Sequence, residues 1–318
     1  MTPALLIGGA VAATALLLAG AVLLPDWAMF LTTMALAKGL VSLGIVGMMR
    51  GGLVSFGQGL YYCIGAYVAA MISNGLGVSD IVLVTVLAVA VTGAVGAMFG
   101  PLLATYRGIF FAMLSLALSM VLYGTLAKIP AIGGTDGLNV ASPTFLGWAP
   151  EGRALQTGLY LYVAAVVVIV GTVMRLHFDS ERGLITLAVR ENELRVEYLG
   201  ASTRNAMAWN YVFAAMLGGF GGATAALALG HVDPEFAFWT TSGEFVFVAI
   251  LAGWLSVPAV FVSSIILELV RSFSNLYFPN TWQIFLGGFL LAVIFLLPDG
   301  LGSLARNTLR RLRRGTKA

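Results

Sequence analysis

The sequence predicts an all-α fold, a polytopic membrane helical bundle of about 8 to 10 transmembrane segments, and three observations predict it. Apolar residues make up 59% of the 318-residue chain and charged residues only 10%, against about 25% charged in ordinary soluble domains; mean hydropathy is +0.96. The apolar residues fall into ten runs, most of them near the ~20 residues that one crossing of the hydrocarbon requires. Charge is segregated: Arg175 to Arg204 forms one polar island, in a density that hydrocarbon rejects at roughly 2.5 to 3.5 kcal/mol per residue. Length alone would suggest about two soluble domains, but spans consume the residues, so 1–318 reads as a single transmembrane domain.

The first run, 4–24, has no Lys or Arg before it. It lacks the charged start of a secretory signal and is expected to be a retained span. Pro25 and Asp26 end it, and Trp27 fits an interfacial anchor. Runs at 27–49, 53–73, 81–104 and 109–128 follow, then a glycine-rich turn at 133–138 and a run at 157–176. After the island come 206–230, 240–252, 257–276 and 282–298. The segment 240–252 is too short to cross about 30 Å at ~1.5 Å per residue, so a half-helix or re-entrant segment is expected. The chain ends in a basic tail, 302–318. Small-x-x-x-small pairs, Gly47/Gly51, Gly96/Gly100 and Gly218/Gly222, suit close helix packing or hinges.

With ten crossings, both termini, the loops near Arg50 and Arg107 and the island share one side. That side collects most of the basic residues and leaves Lys128 and Arg153 opposite. The positive-inside rule makes it cytoplasmic. Nucleic-acid binding is not implied, because the basic surplus is a tail beside a span. Several chemistries are missing. None of Lys38, Lys128 and Lys317 ends a glycine-rich nucleotide loop. His177 and His231 lie far apart with no metal-ligand spacing, and no G-x-S-x-G turn occurs. Cys63 is the single cysteine, so no disulfide forms within the chain. No catalytic residue, metal site or cofactor is expected on this chain, and it reads as a non-enzyme.

Ionisable and polar residues inside spans are the candidates for a path, since burying them is costly. Lys38 sits near the middle of the second run, where it could meet a substrate carboxylate or pair with an acidic neighbour. Ser55, Gln58, Tyr61 and Tyr62 lie among glycines at the start of the third; they could line a path or hydrogen-bond across helices. Glu268 and Arg271, three apart, can pair on one helix.

Four motifs then carry a resemblance: S-F-G-Q-G-L-Y-Y-C-I-G-A-Y-V-A-A at 55–70, R-G-I-F-F-A-M-L-S-L-A at 107–117, G-G-T-D-G-L at 133–138 and R-E-N-E-L-R-V-E-Y-L-G at 190–200. The likeness continues through 231–245 to F-L-L-P-D-G-L at 295–301. The chain resembles the permeases of branched-chain amino acid ABC transporters, of the LivM type. The resemblance implies a bacterial inner-membrane import system of two permease subunits, two ATPase subunits that hold ATP and Mg, and a periplasmic solute-binding protein. It implies that the cytoplasmic loop 176–205 couples to an ATPase through Arg190, Glu191, Asn192, Glu193, Glu197 and Gly200. From the residues themselves, this loop can form a short helix with a Glu191/Arg195 pair, stopped by Gly200, with Leu187, Leu194 and Tyr198 free to dock. Gly134, Thr135 and Asp136 become candidates for contact with the binding protein.

Two stretches depart from the family pattern. G-Q-G-L-Y at 57–61 places Gln58 where a histidine is common, and A-G-W-L-S at 252–256 places Trp254 and Leu255 in a turn usually richer in glycine. Substrate identity therefore stays open among branched-chain and other amino acids, urea or short amides, and carboxylic acids. A different class also stays open: a stand-alone ion-coupled carrier or channel with Lys38, Glu244, Glu268 and Arg271 as a relay.

Overall fold

The computed structural model describes residues 3–297 and 300–303, with side chains from residue 8 onward. Twelve helices account for nearly all of it: α1 (Pro3–Leu23), α2 (Asp26–Met49), α3 (Gln58–Gly75), α4 (Ile81–Leu103), α5 (Gly108–Leu126), α6 (Arg153–Asp179), α7 (Glu181–Glu191), α8 (Glu193–Tyr198), α9 (Thr203–Leu229), α10 (Trp239–Ala252), α11 (Val257–Tyr277) and α12 (Trp282–Leu296). Two short strands, β1 (Leu138–Asn139) and β2 (His231–Val232), pair antiparallel. Each of the ten predicted apolar runs contains a helix among the described residues. Among the described residues, seven helices are long and apolar enough to cross a membrane. The short run is α10, 14 residues long. Of the predicted basic tail, residues 304–318 lie outside the described residues, as do Pro298 and Asp299 of the terminal motif.

The centre of the bundle is α9, packed against α2, α3 and α4. Glycines permit this approach. A Cβ on Gly222 would lie 1.8 Å from the Tyr62 carbonyl oxygen, and one on Gly65 would lie 2.2 Å from that of Gly219. Alanine at either site therefore needs a shift of backbone, not of a flexible side chain. The Gly96/Gly100 pair does the same for α4, where an added Cβ at Gly96 meets Ala215 Cβ at 2.6 Å. Buried hydroxyls in the helices return their protons to the preceding turn, as Thr33 does to the Met29 carbonyl (2.8 Å) and Ser42 to that of Lys38 (3.0 Å). The outer faces of α4, α5, α6 and α12 stay apolar and exposed, with Val86, Phe110, Ile169 and Phe295 all open. Large apolar side chains left open along helices of span length suit a lipid-facing surface.

The third predicted span opens at Gln58, not at residue 53. Residues 51–57 form a connection instead: Gly52 has φ +78, and serine hydroxyls take up the amides there. Ser115 Oγ accepts from Phe56 N and Ser55 Oγ from Gly57 N, both at 3.2 Å. An apolar stretch reads as helix in sequence, but hydroxyl acceptors within reach favour a non-helical backbone.

Candidate coupling elbow and buried polar centre

The polar island folds as an elbow. Ser180 ends α6 and starts α7, its hydroxyl accepting from Gly183 N. Asn192 then breaks the helix with φ −161 and ψ 102, and its side-chain oxygen caps α8 by accepting from Arg195 N at 2.9 Å. Glu191 and Arg195 consequently belong to different helices, which corrects the expectation that they pair within one. Gly200 closes the elbow with φ +86.

Three contacts clamp the elbow to the bundle. Arg107, at the start of α5, donates from Nε to both carboxylate oxygens of Glu193 (3.0 and 3.1 Å) and from Nη2 at 2.5 Å. This bidentate bond lowers the Glu193 carboxyl below its ordinary range against the opposing effect of burial. Arg190 lays its guanidinium 4.5 Å from the centroid of the Trp254 ring, in the α10–α11 corner. Thr203 Oγ1 donates to Glu197 at 2.7 Å, joining α8 to α9. Nearby, Arg50 stacks over Phe178 at 4.3 Å, and burial pulls its guanidinium down while Asp179 opposes that shift.

The elbow leaves four large apolar side chains uncovered among its charged ones. Leu184, Leu194, Tyr198 and Leu199 are 55%, 66%, 89% and 81% exposed, whereas Thr186, Val189 and Val196 are buried beneath them. Leu187 is only partly exposed, while Glu191 and Asn192 are solvent-facing.

The second polar region lies inside the bundle. Lys38 Nζ on α2 is 2.8 Å from Glu268 Oε2 on α11 and 3.8 Å from Glu244 Oε2 on α10. Arg271 Nη1 meets Glu244 Oε2 at 3.0 Å and stands 5.6 Å from the Trp282 ring centroid. Glu268 and Arg271 thus turn to other helices, contrary to the expected pairing along α11. The order Glu268, Lys38, Glu244, Arg271 sets every charge beside an opposite one, and this alternating quartet compensates all four. Beside it, Tyr62 packs on Phe236 and Phe245 with ring centroids 5.1 and 5.0 Å away.

The remaining path candidates collect around the first turn of α3. Gly59 N donates to Ser242 Oγ of α10 at 2.9 Å, and Tyr61 Oη donates to Tyr211 Oη at 3.0 Å. Gln58 is fully buried beside Gly218, and neither its amide oxygen nor its amide nitrogen has a protein partner. Ser55 is buried and serves the turn before α3. At the opposite end of α5, Gly133, Gly134 and Gly137 take φ of +92, +54 and +74. This tight turn leaves Thr135 and Asp136 exposed and leads into the β1–β2 pair, where His231 Nδ1 lies 3.2 Å from Asn139 Oδ1. His177 stacks on Phe213. Among the described residues, no three His, Cys, Asp or Glu side chains gather in a metal-holding group.

Two functional-looking residues escape a reading by sequence. Arg107 stood in a quoted motif with no partner assigned, and Trp254 read only as a departure; each meets the elbow across 86 and 64 residues of chain.

The family described as the permease component of branched-chain amino acid transport systems matches residues 27–294. The high-affinity branched-chain amino acid transport system permease protein LivM of Escherichia coli strain K12 is 26% identical over 287 residues, covering 81% of this chain and 66% of the relative. LivM of Salmonella typhimurium strain LT2 is 25% identical over 309 residues, 88% of this chain and 71% of the relative. The chain therefore spans about two thirds of the length of these relatives. No solved structure matches it.

Proposed function

Because the chain belongs to the permease-component family of branched-chain amino acid transport systems, we propose that this multi-pass membrane protein is one of two permease subunits of an ABC importer in a bacterial inner membrane. It translocates branched-chain or other hydrophobic amino acids, or a related small solute such as urea or a short amide. Two separate ATPase subunits bind ATP and Mg, a periplasmic binding protein delivers the solute, and both termini lie in the cytoplasm. The chain performs no bond chemistry of its own. Its task is alternating access, with the elbow passing ATPase closure into the bundle, and Thr135 and Asp136 facing the binding protein.

The observation that carries this reading is the elbow, where four exposed apolar side chains stand on a framework clamped by the bidentate Arg107–Glu193 bond. An apolar patch at a polar boundary suits a protein partner. Copurification in mild detergent tests it. Two ATPase subunits should accompany the wild-type chain, and Glu193→Arg, which sets two cations against each other, should uncouple ATP hydrolysis from uptake while membrane insertion persists. Wild-type protein that captures no ATPase, or unchanged coupled uptake in the variant, overturns the reading.

A carrier without ATPases is the second reading, and the junction of Lys38, Glu244, Glu268 and Arg271 favours it. Proton- or sodium-driven flux through the chain alone would establish it.

A further inference from the structure

We propose that Trp254 is a positioning residue of the transport cycle, the seat through which Arg190 passes movement of the elbow to α10; this rests on the reading that the elbow meets an ATPase. Arg190 is held between two connections. Its guanidinium lies 4.5 Å from the Trp254 ring centroid, and its Cγ lies 3.6 Å from where Gly52 would carry a Cβ. Gly52 belongs to the connection into α3, and Trp254 to the corner that leaves α10. The side chain thus lies on Trp254 and borders Gly52, at the approaches to the two helices that join at Gly59 and Ser242.

The corner is built to transmit. Gly253 ends α10 with φ +72, its amide donating to the Ala249 and Ile250 carbonyls. It alone supplies the conformational freedom the turn needs, so Trp254 is not strained there. Residues 300–303 fold back beneath the corner: a Cβ on Gly300 would lie 2.6 Å from Gly253 N, and one on Gly302 would lie 3.0 Å from the Ala252 carbonyl oxygen. A push on Trp254 is therefore resisted by packed backbone and shifts α10 as a unit. Eight residues back from the Ala252 end of α10, about 12 Å at the helical rise, Glu244 holds Lys38 and Arg271.

The contact is also suited to being made and broken. Trp254 is partly exposed and Arg190 is exposed, and a guanidinium on a half-open indole is worth about a fivefold change in an equilibrium. A ring that only anchored the corner at the membrane interface would be indifferent to the residue at 190.

The test needs no knowledge of the solute. In the assembled transporter with Cys63→Ala, spin labels at Met98→Cys on α4 and Phe247→Cys on α10 report the displacement of α10 when ATP and vanadate trap the ATPases. We expect Trp254→Leu to lower the displaced fraction about fivefold while ATPase subunits still copurify at wild-type yield. Trp254→Phe, which keeps a ring face, should stay within about twofold. Arg190→Gln should match Trp254→Leu, and the double variant should add nothing to either. A full shift in Trp254→Leu, additive losses in the double variant, or a wild-type complex that shows no shift would each overturn the inference and leave the ATPase reading standing. Wild-type protein that captures no ATPase removes that reading, and the inference with it.

Discussion

The buried centre and the exposed elbow both rely on Glu bonded to a cation, yet the two regions are under opposite physical constraints. In the centre, the Lys38 and Glu268 side chains are 10% and 17% exposed, so each charge is stable only while its partners are in place. At the elbow, Arg107 and Glu193 are 31% and 36% exposed, so water can replace either partner at little cost. A region whose charges cannot separate must move as one body, and a region whose charges can separate is able to change its contacts. The difference assigns rigidity to the α2–α10–α11 junction and adjustability to α7 and α8.

The sharpest way to break the comparison is to remove one charge from the centre. Lys38→Met leaves Glu268 and Glu244 facing only Arg271, and breaking a buried pair from one side costs about 3 to 5 kcal/mol. Thermal unfolding in detergent should show a large fall in midpoint for Lys38→Met. The double variant Lys38→Met with Glu268→Gln, which retains the Arg271–Glu244 pair, should recover most of it. Equal losses in single and double variants would mean that the quartet is not the unit of stability.

Gln58 sharpens the same contrast from the other direction. Its amide is buried without protein partners, and such a group destabilises by about 1 to 3 kcal/mol. Gln58→Leu, close in volume, should raise the unfolding midpoint while lowering uptake. Stability bought at the expense of transport would identify Gln58 as a group kept for the solute or its water. A stabilised variant with normal uptake would assign it no part in the path.

The sequence made the helices legible because apolar runs of span length have few alternatives in lipid. It also exposed Lys38, Glu244, Glu268 and Arg271 as anomalous charges. Which charge meets which was not legible: Lys38 and Glu268 are 230 positions apart, and no local spacing encodes that pairing. Near neighbours misled instead, since spacings of three and four suggested pairs for Glu268/Arg271 and Glu191/Arg195. In each case a competing demand prevailed, compensation of four charges in the first and capping of α8 by Asn192 in the second. Trp254 was read as a burden on a glycine turn because sequence cannot show that Gly253 already supplies the positive φ, nor that a guanidinium waits over the ring.

The smallest predicted effect is titration of the elbow, and its sign follows from the bond to Arg107. Glu193 has its carboxyl lowered in the folded chain, so the ion pair contributes stability above the ordinary glutamate value of about 4.3. The contribution disappears as pH falls through the lowered folded value. Partial exposure limits it to about 1 kcal/mol or less, screened by salt. Hydrogen exchange of the α8 amides, corrected for the intrinsic pH dependence of exchange, should lose protection across that acid window in the wild type. In Glu193→Gln, protection should already be lower at neutral pH and should not change with acid. Amides of α2 around Lys38 should keep their protection in both proteins. If the α2 amides lost protection in step with α8, the elbow and the centre would form one cooperative unit, and the division between a movable clamp and a fixed junction would fail.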